Sequence, residues 1–558
     1  MKFLKMDAAL LLLLQLLFSS ATAKIGYFWH ITDIHYDVNY TINGDSRRMC
    51  WRHEPGSGGG GSGGGGTGAS RRPAGRFGDH SCDSPWGLVE SAARAMKSKH
   101  GDNIEFVLWT GDDIAHVNDE HLSTDKVLMV MQNLTDLLRH TFSSQFVFPV
   151  LGNHDFYPQN QLPPRRHPTY KRVADMWRHW LPTEAIDSFE KGGYYTIEQK
   201  VRRLRLVALN TNLYYKANRQ TAGGGGYGGH HHGERRGYGI SGSGGGQHGG
   251  GSERLLMDEE EDDPAGQWRW LEGVLEKSLR NRETVYLVGH VPPGVDERRP
   301  NSMASGAFKE RFNRRYLRLV RKYSQVIVGQ FFGHHHSDSF RVIYSDRGQP
   351  ISWMFMAPSV TPWRTPSGAN NPGLRLYKFD TDTGQVLDYV QYFLNLSSAN
   401  HRDHAEWQLE YNLTSLYGLP NVSAASLHEL AETFRSGPTV DTSATASFYG
   451  LGGYGGYSSN GGWGSSAVPL PVVSPMLGVD LFERYYRANS VGYHHGSSWG
   501  MCNAHCRRGH YCSITRVDYA AFRDCMEADL SDGRAGCVRP IPLLLWALSG
   551  FLLILLRR

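Results

Sequence analysis

Five short blocks of Asp, His and Asn, each directly after an apolar run, limit what this 558-residue chain can fold into more than any other feature. Apolar runs of this length that end at glycine and polar residues indicate buried strands. Ligand-binding loops of α/β sheets lie at the carboxyl ends of strands, so we expect the five blocks to meet at one edge. The runs are Tyr27–Thr32, Glu105–Thr110, Phe146–Leu151, Val285–Val288 and Val326–Phe332. The blocks are Asp33-Ile-His35, Gly111-Asp112, Gly152-Asn-His-Asp155, Gly289-His290 and Gly333-His-His-His336.

Amphipathic stretches alternate with these runs and with a sixth, Arg203–Leu209, and this alternation predicts the α/β fold class with strands buried on both faces. Ser84 is the predicted cap of the first helix, with Pro85 as its first residue. The predicted helices are Pro85–Lys99, His121–Arg139, Gln267–Leu279 and Phe308–Tyr323. The predicted late hairpin joins Leu374–Phe379 to Val386–Leu394.

Composition divides the chain into a signal peptide (1–23), a catalytic domain (24–396), a C-terminal subdomain (397–537) and a hydrophobic tail (538–558). Segments rich in Gly, Ser, His and Tyr bury too little apolar surface to offset their ordering entropy, so we expect disordered insertions there. The insertions lie near 56–70 and 222–252 in the catalytic domain and near 437–500 in the subdomain.

Both ends of the chain predict export to a membrane surface. Basic Lys2 and Lys5, an apolar run and Ala21-Thr-Ala23 are typical of a cleaved secretory signal. The apolar segment Ile541–Leu556, after small residues and a polar spacer, resembles a glycosylphosphatidylinositol (GPI) attachment signal. A short transmembrane helix is the alternative, because two arginines close the chain. We expect an extracellular, GPI-anchored protein, with an endolysosomal location as the alternative.

Cysteines and glycosylation motifs agree with an oxidising compartment. Three disulfides are expected from six of the seven cysteines, with Cys537 left over and the pairing open. The disulfide candidates are Cys50, Cys82, Cys502, Cys506, Cys512 and Cys525. The predicted glycosylation sites are Asn39, Asn133, Asn395, Asn412 and Asn421.

Charge points to no macromolecular partner. The net charge of +5 comes from 59 basic and 54 acidic residues without a basic stripe, so no nucleic-acid polymer is expected to bind. We expect a monomer that acts on a small molecule or a lipid head group.

The residue types in the five blocks are those of a dinuclear metal site. Carboxylates neutralise and bridge two divalent ions, while imidazoles set the geometry and leave coordination positions open for water and phosphate. Glycines next to four blocks permit tight turns and close backbone approach. Asp113 and Asp155 lie next to or near candidate ligand positions and are expected to orient the imidazoles.

The order of the blocks resembles the signature of the calcineurin-like metallophosphoesterases. The fuller strings look like the acid sphingomyelinase branch: Asp33-Ile-His-Tyr-Asp37, Thr110-Gly-Asp-Asp-Ile-Ala-His116, Gly152-Asn-His-Asp-Phe156 and Phe332-Gly-His-His-His-Ser-Asp338. The resemblance implies layered sheets flanked by helices, with a smaller helical, disulfide-linked C-terminal subdomain. Because Asp33 lies close to the predicted cleavage site, we expect no saposin-type domain. The chain is thus more similar to the acid sphingomyelinase-like phosphodiesterases, and its tail favours the anchored 3b type.

The resemblance also implies ligands for two zinc ions per chain. One ion is assigned to Asp33, His35, Asp112 and His336, and the other to Asp112, Asn153, His290 and His334. Asp112 is then the bridging ligand, and His335 lies outside the ligand set. Zinc is favoured over ferric iron because Ala115 occupies the position at which related purple acid phosphatases carry a tyrosine ligand.

The implied reaction is attack of metal-activated hydroxide on phosphorus. The resemblance gives His154 the role of general acid, with His116 assisting at the phosphate or leaving group. The alternative for His116 is an orienting residue behind the ligands. Nucleotides, phosphocholine compounds and phospholipid or sphingomyelin head groups are the expected substrates. Aromatic residues near the strand ends, among them Trp109, Trp353 and Trp363, line either a cleft or the core.

Two other functions are compatible with the same sequence. A phosphomonoesterase would need the same ligands and a different pocket shape. A surface lipid-binding or receptor-modulating protein would tolerate weak or vestigial catalysis, and loss of a ligand would favour it. The sequence retains every ligand of the signature, so a phosphoric diester hydrolase is the leading prediction.

Overall fold

A computed structural model describes residues 24–42, 44–52, 73–199, 203–221, 263–299, 306–363, 368–435, 480–493 and 502–528. The predicted signal peptide, the insertions near 56–70 and 222–252 and the hydrophobic tail lie outside the described residues. Cys537 lies outside them as well.

The described chain alternates strands and helices, as the α/β prediction requires. The strands are β1 (Ile25–Ile31), β2 (Phe106–Trp109), β3 (Phe146–Pro149), β4 (Tyr195–Gln199), β5 (Leu204–Ala208), β6 (Thr284–Val288), β7 (Ile327–Phe332), β8 (Ser339–Tyr344), β9 (Pro350–Met356), β10 (Gly373–Asp380), β11 (Val386–Leu394) and β12 (Trp407–Asn412). The helices are α1 (Trp86–His100), α2 (Thr124–Thr141), α3 (Pro168–Met176), α4 (Thr183–Gly192), α5 (Gln267–Asn281), α6 (Glu310–Lys322), α7 (Leu396–Arg402), α8 (Leu413–Tyr417), α9 (Ala424–Arg435), α10 (Leu481–Ala488), α11 (Ala504–Thr515) and α12 (Tyr519–Glu527). Short 3-10 turns cover Asp119–His121, Thr211–Leu213, Arg219–Thr221 and Pro264–Gly266.

The strands form two six-stranded sheets. The first has the order β12-β11-β10-β1-β2-β3, and the second has the order β4-β5-β6-β7-β9-β8. Strands β1, β2 and β3 are parallel, as are β5, β6 and β7, so the carboxyl ends of the strands in each group lie at one edge. The predicted hairpin is confirmed, because β10 pairs antiparallel with β11.

Aromatic side chains join the two sheets face to face. Phe28 of β1 stacks on Phe106 within its own sheet, with 4.7 Å between ring centroids. Its ring also meets Tyr286 at 5.8 Å and Phe331 at 5.5 Å, and both belong to the second sheet. These rings are fully buried, so the main core lies between the sheets and holds the two parallel groups in fixed relation.

The predicted start of the first helix is wrong in detail. Helix α1 begins at Trp86, and its cap is Pro85 in extended conformation, without a side-chain cap hydrogen bond. The Ser84 backbone N–H instead donates to the carbonyl of His35, which ties the helix entry to the first block. Helix α2 begins at Thr124, later than predicted, because Ser123 accepts a capping hydrogen bond from the Lys126 backbone.

The C-terminal part of the chain joins both sheets. Strand β12 pairs with β11 at the edge of the first sheet, while α9 and α11 pack on β9 and β8 of the second. Helix α10 lies inside the range 437–500 that composition assigns to an insertion, because Phe482, Tyr485 and Ala488 bury one face. The predicted domain boundaries remain predictions.

The six disulfide candidates form three bonds, Cys50–Cys82, Cys502–Cys506 and Cys512–Cys525. The number agrees with the prediction, and the structure supplies the pairing that the sequence leaves open. Within the described residues, none of the helices combines the length and the apolarity that crossing a bilayer requires.

Candidate metal centre

The five blocks meet at one edge of the two sheets. Each follows its strand directly: Asp33 comes after β1, Asp112 after β2, Asn153 after β3, His290 after β6 and His334 after β7. The side chains of the seven predicted ligands are buried, apart from His334, which is half-buried. The structure therefore brings together the residues that the sequence placed at separate strand ends.

Left-handed backbone conformations aim most of these side chains inward. The φ angles of Asp33 and His35 are 50° and 44°, that of Asp112 is 58°, and those of His334 and His336 are 70° and 57°. Residues with a side chain rarely adopt such angles, and each one costs free energy of about 1–3 kcal/mol. Five of them at one place indicate a site whose geometry the surrounding fold enforces.

Close packing of glycines brings the loops after β2 and β3 together. Gly111 has φ of 83°, and a Cβ added there would lie 2.2 Å from the backbone nitrogen of Gly152. The Asp33 and His35 N–H groups donate to the carbonyls of Gly111 and Asp112, at 2.9 Å each. The loops after the first three strands are therefore fixed to one another through their backbones.

The first half of the centre consists of Asp33, His35 and His336. The Nε2 atoms of the two imidazoles lie 3.1 Å apart, and His336 Nε2 lies 3.4 Å from Asp33 Oδ1. His35 Nδ1 donates to the Ile114 carbonyl at 2.7 Å, which leaves its Nε2 lone pair directed at this space. The three side chains thus converge on one point.

The second half consists of Asn153, His290 and His334. His290 Nδ1 donates to the Thr110 carbonyl at 2.7 Å, so its Nε2 also faces inward, 3.1 Å from Asn153 Oδ1. A ring nitrogen of His334 lies within 4.8 Å of ligand atoms of His290 and Asp112.

Asp112 connects the halves through a single oxygen. Its Oδ2 lies 3.5 Å from His35 Nε2 and 3.1 Å from His290 Nε2, while its Oδ1 accepts the backbone N–H of His154 at 2.8 Å. A carboxylate oxygen between two sets of imidazoles has the position of a bridging ligand.

The donor set fits two divalent ions. Among the described residues, no Lys or Arg forms an ion pair with Asp33 or Asp112. The Nε2 atoms of His35 and His336 lie 3.1 Å apart beside the Asp33 and Asp112 carboxylates, and imidazole nitrogens with carboxylate oxygens are ligands that bind divalent ions such as zinc. Burial lowers the pKa of His290, but the nearby carboxylates, above all Asp112, have the larger combined effect and raise the pKa to about 9. The site therefore attracts positive charge.

Among the described residues, the hydrogen bonds of the Asp113 and Asp155 carboxylates involve no imidazole, which differs from the expectation that they orient imidazoles. Asp155 accepts the N–H groups of Gly152, Asp112 and Asp113 at 2.7–3.0 Å. Burial, together with the Asp112 charge, raises its pKa to about 7. Asp113 accepts the indole N–H of Trp109 at 2.8 Å. Both carboxylates therefore stabilise the loop that carries the bridging aspartate.

The two predicted catalytic histidines lie over the first half of the centre. The His154 ring contacts those of His35 and His116 edge to face, with centroids 5.1 and 4.6 Å away. Its Nδ1 is buried without a hydrogen-bond partner within the described structure. Burial lowers the pKa of His154 to about 4, so the imidazole is neutral before an anionic substrate enters.

His116 has partners that the sequence did not reveal. Its Nδ1 and backbone N–H both donate to the buried carboxylate of Asp83, at 3.0 and 2.7 Å. Its ring stacks between His35 and Trp363, with centroid distances of 3.9 and 4.1 Å. Asp83 belongs to no block, and its only signal in the sequence is its place after the half-cystine Cys82.

The remaining sequence candidates separate into two groups. Trp109 and Trp353 are core residues, whereas Trp363 borders the centre through its contact with His116. His335 is buried beside Asp296 and Glu297, with its ring 5.7 Å from that of His334, and its place outside the ligand set stays a prediction.

Comparison with known proteins identifies the family. The family model described as calcineurin-like phosphoesterase matches residues 26–338, and the acid sphingomyelin phosphodiesterase C-terminal region matches residues 349–449. The chain is 36% identical to human acid sphingomyelinase-like phosphodiesterase 3b over 95% of both chains. It is 38% identical to bovine cyclic GMP-AMP phosphodiesterase SMPDL3A over 90% of both chains.

A third relative, bovine sphingomyelin phosphodiesterase, is 29% identical over 73% of this chain and 57% of its own length. The matches confirm the predicted resemblance, the α/β metallophosphoesterase fold and the prediction of a phosphodiester-hydrolysing enzyme with a metal centre. This chain therefore belongs to the calcineurin-like phosphoesterase family and, within it, to the acid sphingomyelinase-like phosphodiesterases.

Proposed function

We propose that this chain is an extracellular, two-zinc phosphodiesterase that cleaves phosphodiester or phosphoanhydride bonds of nucleotides, phosphocholine compounds or lipid head groups. The observation that carries the proposal is the position of Asp112 Oδ2 between His35 and His290. Two ions held on either side of this oxygen would activate water and polarise the phosphoryl oxygens of a bound ester.

The other residues of the site would bind the two ions, the phosphate and the leaving group. Asp33, His35 and His336 would hold one ion, Asn153, His290 and His334 the other, and Asp112 both. His154 lies beside the first half, where it would give a proton to the leaving oxygen once a phosphate anion has raised its pKa. His116 would contact the same phosphate or leaving group, because its ring lies 4.6 Å from that of His154.

Zinc is the proposed metal for a reason of chemistry. Imidazole and carboxylate ligands without a phenolate suit zinc, whereas ferric iron in related phosphatases uses a tyrosine. The corresponding position is Ala115, which is 3% exposed and has no oxygen to offer.

The substrate class follows from the relatives and from the surface beside His116. One relative is named for cyclic GMP-AMP and another for sphingomyelin. The indole of Trp363, stacked on His116, gives the border of the site a flat aromatic surface, which suits a nucleobase or a quaternary ammonium group.

The proposed location is the cell surface, by secretion and a GPI anchor. Three disulfides support an oxidising compartment, because such bonds are rare in reducing ones. A short transmembrane tail and an endolysosomal location are the alternatives, and the protein is proposed to act as a monomer. Release of the protein from intact cells by a phospholipase specific for GPI anchors would support the GPI anchor, whereas retention on the cells would favour the transmembrane tail.

Activity assays test the catalytic proposal. The full chain, purified from a secretory expression host, is assayed on a nucleotide phosphodiester, on its matched monoester and on sphingomyelin, with and without chelator. We expect chelator-sensitive diester hydrolysis that zinc restores, and two zinc ions per chain by metal analysis. Activity that resists chelation, or turnover of the monoester alone, would contradict the proposal.

A further inference from the structure

We propose that Asp83 is a positioning residue that holds the His116 imidazole in one orientation toward the metal centre. The inference rests on the proposed function, because His116 acts there at the phosphate or leaving group. It concerns a carboxylate outside the five blocks, brought to the centre by the fold alone.

Asp83 forms hydrogen bonds with both the ring and the backbone of His116. Its Oδ1 lies 3.0 Å and its Oδ2 3.2 Å from His116 Nδ1, and Oδ2 also accepts the His116 backbone N–H at 2.7 Å. A carboxylate accepts hydrogen bonds, so Nδ1 carries the hydrogen and Nε2 is the nitrogen left for the centre. A ring nitrogen of His116 lies within 4.8 Å of ring nitrogens of His35 and His336.

Stacking alone cannot set this orientation. The rings of His35 and Trp363 lie against the two faces of His116, both at an interplanar angle of 27°. Such contacts fix the plane of the imidazole. A half-turn about the Cβ–Cγ bond leaves that plane unchanged, but it exchanges the position of Nδ1 with that of Cδ2 and the position of Nε2 with that of Cε1. The hydrogen bond to Asp83 is what distinguishes the two orientations.

Asp83 is itself held firmly. Its neighbours in sequence are Cys82, bonded to Cys50, and Ser84, whose N–H donates to the His35 carbonyl. The hydroxyl of Thr361 donates to Asp83 Oδ1 at 3.0 Å, and the Thr361 N–H donates to the Asp33 carbonyl. Asp83 is thus connected to the backbones of two metal-ligand candidates.

The chemistry of Asp83 argues for a function beyond packing. The side chain is fully buried, and among the described residues it forms no ion pair with Lys or Arg. Burying a carboxylate without a permanent cation is unfavourable, and hydrogen bonds offset that cost only in part. His154, the other predicted catalytic histidine, has no such carboxylate at its Nδ1 among the residues that the structure describes.

The test compares Asp83→Asn with Asp79→Asn, a matched change four residues earlier, where the side chain accepts the Ser81 backbone N–H and does not contact His116. An asparagine cannot accept from the Thr361 hydroxyl, the His116 ring and the His116 backbone as a carboxylate does. We expect Asp83→Asn to lower kcat by about 10–100-fold with little change in KM and with two metal ions retained. We expect Asp79→Asn to keep the parent kcat, and parent kcat in Asp83→Asn would overturn the proposal.

A double-mutant cycle with His116→Ala separates positioning from a general structural role. If Asp83 acts through His116, Asp83→Asn adds no further loss once the imidazole is absent. Losses that multiply would contradict the proposal.

Neutron diffraction from crystals of the metal-loaded parent and of Asp83→Asn distinguishes ring nitrogen from ring carbon and gives a readout that does not depend on activity. We expect the His116 ring to be rotated or to occupy two orientations in the variant. An unchanged ring would overturn the proposal even if the parent hydrolysed none of the esters, so failure of the proposed function is distinguishable from failure of the positioning role.

Discussion

Two groups of buried charges lie close together in this protein, and they are balanced in different ways. In the arginine cluster, Arg341 pairs with Glu297 at 2.6 Å and Arg375 pairs with Asp338 at 2.5 Å, all four nearly without exposure. In the metal centre, the carboxylates face imidazoles and have no arginine or lysine partner within the described part of the chain. The first group is neutral by itself, whereas the second requires a cation from outside.

Hydrogen bonding and backbone geometry reinforce the difference. Glu297 also accepts hydrogen bonds from the Ser337 hydroxyl at 2.9 Å and the Asn489 amide at 3.0 Å. Its carboxylate is therefore balanced by groups of the protein itself. In the metal centre, His336 Nδ1 has no partner among the described residues and the backbone is left-handed at five positions. The arginine cluster therefore serves stability, while the metal centre keeps its charge available for ligands at some cost in stability.

The largest expected effect is the loss of activity in Asp112→Asn. A neutral amide cannot bridge two cations, so we expect kcat/KM to fall about 1000-fold or more, with metal content below one ion per chain. Metal analysis and steady-state kinetics measure both quantities. Asp136→Asn on the exposed face of α2 is the control, and full occupancy in Asp112→Asn would refute the bridging role.

The next effect is in stability, and it tests the arginine cluster. Arg341→Ala leaves Glu297 buried without its cation, so we expect the free energy of unfolding to fall by about 3–5 kcal/mol. Denaturant unfolding at saturating zinc measures the change, and metal analysis is expected to show two ions still bound. Arg280→Ala, which removes an exposed pair with Glu276, is the control, with a change below about 1 kcal/mol. Equal losses in both variants would mean that the cluster is not a stabilising unit.

Metal removal is expected to have a somewhat smaller effect on stability. Ions that bind only the folded chain stabilise it by about 3 kcal/mol at a hundredfold excess over their dissociation constant. Thermal unfolding with chelator should therefore begin at lower temperature, and zinc should restore it. Asp112→Asn should respond less, since it binds metal weakly. An unchanged transition in the parent would show that the centre does not couple metal to folding.

The smallest effect concerns pH and an ion pair away from both groups, between Glu283 and Arg205. Burial raises the pKa of Glu283, but hydrogen bonds from Arg205 and Asn281 lower it more, to about 2. A lowered pKa in the folded state means that the stabilisation is complete above pH 4.5 and is lost as pH falls toward 2. We expect Glu283→Gln to cost about 1–2 kcal/mol near neutral pH and less near pH 3. Unfolding measured between pH 6 and 3 checks this, and a loss independent of pH would contradict it.

The metal centre was the part most accessible from sequence, for a physical reason. A buried parallel strand must be apolar along its length, and its loop must carry the polar groups, so Asp112 and His290 stand out after β2 and β6. Strands without this contrast escaped prediction. For example, β12 contains Gln408 and Glu410 and joins the sheet only through its pairing with β11.

Asp83 is a site residue that sequence patterns do not predict. It is separated from His116 by 33 residues and from Thr361 by 278, and no spacing rule connects them. The wrong prediction for Ser84 has the same origin. The local sequence favoured a helix cap, but the backbone of this residue bonds to His35 in the tertiary structure.

The place of β1 in the first sheet has a consequence for synthesis. This strand is made first, yet it lies between β2 and β10, and His35 meets His336 across 301 residues of sequence. A ribosome adds about 5–20 residues per second, so roughly 15–60 seconds pass between the synthesis of His35 and that of His336, and β10 follows later still. During that interval one edge of β1 lacks its partner strand β10, and the metal centre stays incomplete until His336 has been made.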